Sequence, residues 1–215
     1  MRLDEIDGYE AAIATARIEN PGLTILMALE CEWMPDYAAF YREELLGRRG
    51  YDYLIGAGHF TKMADGEWKG SFENLRTPDA LRRYARLLTA LMEAKIFAFV
   101  AHPDIIGNCN VRWNADTAAC ARDICAAAAA TATPLELNAY GLRKSWVSGH
   151  EGNRPGYPWP PFWEVAAEHG VQVVLNSDAH RPQDVMHGHA ELIAIRDRYG
   201  LVEADLTHLV PARGG

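Results

Sequence analysis

"VVLNSDAHRP", residues 173–182, opens as an apolar run and closes on a carboxylate and an imidazole. Val173, Val174 and Leu175 read as a buried strand, and Asp178 and His180 follow two residues apart. If the strand continues that far, its two-residue period puts both side chains on one side. A core strand that runs into two metal-binding side chains invites a search for others like it.

Several appear. The apolar stretch 23–33 ends in Glu30 and Glu32, 51–60 ends in His59, and 96–104 ends in His102, Pro103 and Asp104. The stretch 133–141 carries Glu136 and Asn138. Helical patterns lie between these strands, over 3–19, 36–47, 77–94, 115–131, 161–169 and 182–199, with a last short strand expected at 206–210. Thr77 is placed to cap a helix whose first position is Pro78. The segments 61–76 and 145–161 read as loops. Strand and helix alternate throughout, which predicts an α/β fold with parallel strands, one domain over 1–215.

In such a fold the carboxyl ends of all strands share one face, and in a barrel they converge on one axis. His, Asp and Glu from several strand ends then make a candidate site for zinc, manganese or iron. Singly each residue is weak, since a His near a strand end is more often a hydrogen-bonded structural residue. Glu32 alone reads equally as a solvent-facing charge, and Asp104 as a turn or helix-cap residue. His150, His169, His187, His189 and His208 read as surface or loop residues. The recurrence at successive strand ends favours a shared polar site.

The chain has 215 residues and a formal net charge of −8, enough for one sizeable core and unsuited to general nucleic-acid binding. Cys31, Cys109, Cys120 and Cys125 form no CxxC pair, so reduced thiols, as in a cytoplasm, are expected. No apolar stretch is long enough to span a bilayer, and the acidic start "MRLDEIDGYE" is no signal peptide.

"GHF" (58–60), "AHPDII" (101–106), "LELNAYGLRK" (135–144) and "NSDAHRPQDV" (176–185) resemble, in order, motifs of the PHP (polymerase and histidinol phosphatase) family, most closely its monofunctional histidinol-phosphatase branch. "ALECEW" (28–33) falls where that branch has a Gly-Leu-Glu motif, with Ala28 in place of Gly. The resemblance extends to about Gly200. It implies a distorted (β/α) barrel with up to three divalent metal ions at its carboxyl face. By motif, Glu30 would bridge metals, and His59, His102, Asp178 and His180 would complete the ligand set. The implied reaction is hydrolysis of a phosphomonoester, with Asp178, His180 and Glu30 at the chemistry. Arg143, Lys144 and Arg181 would meet the substrate's phosphate, Arg143 foremost because the branch has Arg there.

Relatives begin with a strand bearing His-x-His and a second strand ending in another ligand His. Neither is present, so the barrel is expected to be incomplete at the N-terminus and to hold fewer metals. Either Met1 is internal to a longer reading frame or the product is shortened, in which case pairing with a second copy would cover exposed strand edges. Four functions follow: a histidinol-phosphate phosphatase of histidine biosynthesis; a phosphoesterase with another small phosphorylated substrate; an inactive remnant; and a nucleic-acid-processing domain, disfavoured by the acidic balance. Trp146, Tyr157, Trp159 and Trp163, in or near 145–161, would either line a substrate pocket or pack in the core.

Overall fold

A computed structural model describes residues 3–149 and 152–210. Six parallel strands form the central sheet: β1 (Ala28–Glu32), β2 (Tyr53–Ala57), β5 (Phe99–Val100), β6 (Leu135–Asn138), β9 (Gln172–Asn176) and β10 (Val202–Glu203), in that spatial order. Two small antiparallel hairpins stand outside it, β3 (Phe60–Lys62) with β4 (Trp68–Gly70), and β7 (Val147–Gly149) with β8 (Gly152–Arg154). β1 and β10 are the edges of the sheet. Strands in unbroken chain order are the arrangement of β/α barrels, whereas a doubly wound sheet reverses its order part-way.

The register divides the sheet into two unlike faces. Cys31, Gly56, Val100, Leu135 and Val173 share one face, which continues through Leu54 and Leu137. All are buried, and helices cover them: a Cβ on Gly56 would lie 2.7 Å from Leu91. The other face carries Glu30, Ile55, Phe99, Glu136 and Asn138. The first face is buried against helices, which favours folding, while the second carries the acidic and amide side chains together with Ile55 and Phe99.

The covering helices follow from their sequences. α3 (Pro78–Glu93) starts at Thr77, whose hydroxyl accepts the Ala80 amide at 3.2 Å, and buries Leu81, Tyr84, Leu88 and Leu91 at helical spacing. α4 (Ala115–Thr131) starts at Asn114, which exchanges side-chain and backbone hydrogen bonds with Thr117. Its buried residues are Thr117, Cys120, Ala121, Ile124, Cys125 and Ala128, mostly small, and α4 packs against α3. α1 (Ile6–Glu19) lies at the β1 edge, where Tyr9 Oη donates to the Ala28 carbonyl at 2.8 Å. α6 (Pro160–Glu168) and α7 (His189–Tyr199) complete the set of long helices.

Local structure departs from the sequence reading in several places, among them the helix read over 182–199, which begins only at His189 after a 3-10 turn at Pro182–Asp184. The segment 36–47 is a short 3-10 turn followed by a wide helix over Phe40–Arg48, closed by the Arg49 amide on the Glu44 carbonyl five residues back. Both expected loops contain hairpins, and the first also holds α2 (Ser71–Asn74). The strand at 133–141 stops at Asn138 and gives way to α5 (Tyr140–Arg143). The strand that opens "VVLNSDAHRP" stops at Asn176, and Asp178 takes φ +47, so two-residue alternation does not reach Asp178 and His180. The last strand is Val202–Glu203, and 207–209 is a 3-10 turn.

Candidate metal centre

Glu30 projects from the middle of β1, His59 follows β2, and His102 follows β5, so three neighbouring strands deliver three side chains to one place. Glu30 Oε1 lies 3.1 Å from His59 Nε2 and 3.3 Å from His102 Nε2, and the two imidazole nitrogens are 3.1 Å apart. Atoms bound to one tetrahedral zinc ion at about 2.0–2.1 Å stand about 3.3 Å from one another. The three atoms therefore already have the spacing of one metal's ligand shell, and their types suit zinc, manganese or iron.

The His59 ring is oriented from behind, and the His102 backbone is anchored. Glu32 accepts the amides of His59 and Phe60 at 3.0 Å each and lies 3.0 Å from His59 Nδ1. It thereby directs Nε2 inward, as a carboxylate behind a metal-binding His does. Glu32 is thus no solvent-facing charge. The His102 amide donates to Glu136 Oε2 at 2.8 Å, and His102 itself takes φ +26. Glu136 is buried and also receives the side-chain amides of Asn138 and Asn176. The Asn138 amide donates in addition to Asp178 Oδ2 at 3.0 Å. One buried carboxylate thus connects the His102 backbone to the Asp178 carboxylate through a single asparagine.

Charge follows this geometry. Burial pushes Glu30 up, but hydrogen bonds and charge from His102 and His59 outweigh it and hold Glu30 far below the usual carboxylate range. Burial pushes His59 down, but Glu30 and Glu32 outweigh it and raise it to about 9. Glu136 is raised to about 7, chiefly by burial.

The three ligands open onto a cavity of about 230 Å³ that Asp178, His180, Lys144, Phe72, Tyr140 and Tyr157 also line. Asp178 and His180 therefore join the same site, although among the described residues only Glu30, His59 and His102 bring three ligand atoms within 4.8 Å of one another. His180 stacks on Tyr140, with ring centroids 4.4 Å apart, and its Nδ1 is 3.0 Å from the Asp178 carbonyl. Lys144 Nζ lies over three rings, 4.3 Å from the centroid of Phe72, 4.7 Å from Tyr140 and 5.2 Å from Tyr157.

The other expected cations stand elsewhere. Arg143 is 12% exposed, donates to the carbonyls of Ser177 and Asp178, and is absent from the cavity wall. Arg181 is exposed at the start of a 3-10 turn. His187 and His208 are exposed, His169 is bonded to its own helix, and His150 lies outside the described residues. Asp104 starts a short 3-10 turn and is fully buried, accepting from Trp159 N and Trp163 Nε1. Of the aromatic residues near 145–161, Tyr157 lines the cavity, Trp159 and Trp163 are core, and Trp146 is 60% exposed. Phe72 and Tyr140 were not singled out as site residues by the sequence; Tyr140 lay within the "LELNAYGLRK" motif that carries Glu136, and Phe72 had no such signal.

No family model matches the chain. The probable histidinol-phosphatase of Deinococcus radiodurans is 28% identical over 205 residues, spanning 92% of this chain and 74% of that protein. The crystal structure of histidinol phosphate phosphatase from Lactococcus lactis, complexed with zinc, L-histidinol and phosphate, superposes with a TM-score of 0.65 at 13% identity. That match covers 92% of this chain and 75% of the other. The second likeness is one of fold. The two together agree with the resemblance seen in the motifs.

Proposed function

We propose that this protein is a metal-dependent phosphatase that hydrolyses histidinol phosphate to histidinol, as a step of histidine biosynthesis in the cytoplasm. The observation that carries this reading is the convergence of Glu30, His59 and His102 at ligand spacing in a cavity whose wall also carries Lys144. The likeness of sequence and fold to histidinol phosphatases supports the substrate. Strands in chain order, with helices over one face, support a (β/α) barrel arc formed by one domain. The acidic net charge and the absence, among the described residues, of any helix long and apolar enough to cross a membrane are in keeping with this assignment.

Glu30, His59 and His102 would hold the metal, with Asp178 and His180 available as further ligands or as proton carriers. A metal held there supplies an acidified water and polarises the phosphoryl oxygens. If His180 donates Nδ1–H to the Asp178 carbonyl, its Nε2 lone pair faces outward, free to take a proton or a ligand position. The Asp178 carboxylate is held in place by the hydrogen bond that Asn138 donates to it. Lys144 supplies positive charge, and Phe72, Tyr140 and Tyr157 shield it from water, which strengthens its pull on a phosphate. The same rings offer an apolar wall to an imidazole.

The test is inorganic phosphate release from histidinol phosphate by the 215-residue chain, before and after chelation and metal return. Release that disappears on chelation and returns with zinc or manganese is expected. Turnover that is insensitive to chelation would overturn the metal-dependent reading. A second substrate class is favoured by the small aromatic wall, which sets size more than identity, and a panel of small phosphomonoesters separates the two.

A further inference from the structure

We infer that Glu136 is a positioning residue that holds the His102 backbone and the Asp178 loop at a fixed offset from each other; this rests on the metal-site reading above. Glu136 and Asn138 lie two residues apart on β6 and share a face, and Asn176 on β9 stands directly opposite Asn138. Both Glu136 oxygens are used. Oε2 accepts the His102 amide at 2.8 Å and the Asn138 side-chain amide at 2.9 Å, and Oε1 accepts the Asn176 side-chain amide at 2.5 Å. Each asparagine then holds one part of Asp178. Asn138 donates to its carboxylate at 3.0 Å, and Asn176 Oδ1 accepts its backbone amide at 3.3 Å. The carboxylate and the backbone of Asp178 thus trace back to opposite oxygens of one buried side chain.

His102 and Asp178, at the ends of these arms, are the two residues of the cavity wall with positive φ, +26 and +47. A side chain with a Cβ keeps such a conformation only where its surroundings over-determine it. β6 runs between β5 and β9, so it is the strand from which one side chain reaches both places. Glu136 itself does not line the cavity and acts through its partners. Cohesion between strands does not account for a carboxylate at this position. Glu136 is 1% exposed and its hydrogen bonds come from amides, not from a cation. An apolar side chain of similar size would join the strands without the desolvation cost. Placing three N–H groups does account for it.

The experiment compares wild type, Glu136→Gln and Asn176→Ala in the full chain. Glutamine keeps the size but has one acceptor oxygen, so in either orientation its NH2 group meets an N–H donor and one arm breaks. Three quantities are read: zinc affinity by calorimetry, kcat and KM for phosphate release, and residue-resolved amide hydrogen exchange. For Glu136→Gln, zinc affinity and kcat should each fall about tenfold or more, with KM held within about twofold. Exchange should accelerate at His102 or Asp178 while the amides inside β2 and β9 keep wild-type protection. Asn176→Ala should accelerate exchange at Asp178 and not at His102, and it decides alone if the Gln variant does not fold. Acceleration spread evenly over the sheet, or zinc affinity and kcat both unchanged, would overturn the inference and leave Glu136 a cohesive contact. If wild type binds no zinc or releases no phosphate, the phosphatase reading fails on its own and exchange decides: acceleration confined to His102 or Asp178 supports the inference, and unchanged or uniform exchange overturns it.

Discussion

His59 Nε2 and His102 Nε2 face each other across 3.1 Å, with Glu30 Oε1 beside both. Two ring nitrogens this close must share a proton or a cation, because two N–H groups directed at one another repel. A divalent ion satisfies all three atoms at once. The chain should therefore bind about one zinc or manganese ion tightly, measured by elemental analysis after dialysis. His102→Ala and Glu30→Gln should each lower calorimetric affinity by at least about tenfold. Protons compete for the same atoms, so affinity should weaken as pH falls. Retention of metal by both variants would place the ion elsewhere.

Lys144 gives the second prediction. Lys144→Met keeps much of the apolar stem against Phe72 and Tyr157 and removes the charge. KM for a phosphomonoester should rise by about tenfold or more, in line with the roughly 1.5–3 kcal/mol of a charge-assisted hydrogen bond. Zinc affinity should change little. Unaltered KM would remove Lys144 from the binding site.

Asp104 sets a pH dependence of stability. Burial raises its pKa from the ordinary 3.8 to about 6, against hydrogen bonds from Trp159 and Trp163 that lower it. Below pH 3.8 both folded and unfolded chains are protonated at this group, and burial carries no charge penalty. Between 3.8 and about 6 the unfolded chain ionises first, so stability falls as pH rises. Above about 6 the loss is complete, on the order of 3 kcal/mol from this group. Asp104→Asn keeps an acceptor for both tryptophan N–H groups and cannot ionise. The difference in denaturant stability between variant and wild type should therefore grow from pH 4 to 6 in the variant's favour. A constant difference would show that Asp104 does not titrate in this window.

Gly141 is required by close packing. A Cβ there would lie 2.0 Å from the Tyr157 carbonyl oxygen and 2.5 Å from its ring. Gly141→Ala must displace Tyr157, a wall of the cavity, and should cost about 1–3 kcal/mol. Thermal unfolding checks the cost, and a raised KM would report the displaced ring. An unchanged melting temperature would mean that the 156–158 segment yields freely.

The strand ends were legible because apolar runs closing on His, Asp or Glu mark both a buried strand and its functional terminus. Glu30, His59 and His102 meet because their strands are adjacent and parallel, which strand–helix alternation implies. The same reading left Glu32 open as a solvent-facing charge, whereas it is bonded to His59 and Phe60. Motif position says which residues are near the site, but not which partner each side chain takes. Nor could alternation foresee Asp178 at positive φ, since its hydrogen-bond partners there, Arg143 and Asn138, come from distant parts of the chain. The hairpins escaped for a simpler reason: three-residue strands are too short for a period to emerge.

His102 and Asp178 both occupy the positive-φ region, which costs any residue with a Cβ, though Asn, Asp and His less than most. The working site is therefore held against the preferences of its own backbone. Under selection for foldability alone, these two positions would be among the first to drift, toward residues that relax the chain and hold no ion. A lineage of this protein that keeps His and Asp there would be one in which the proposed metal chemistry is still being selected.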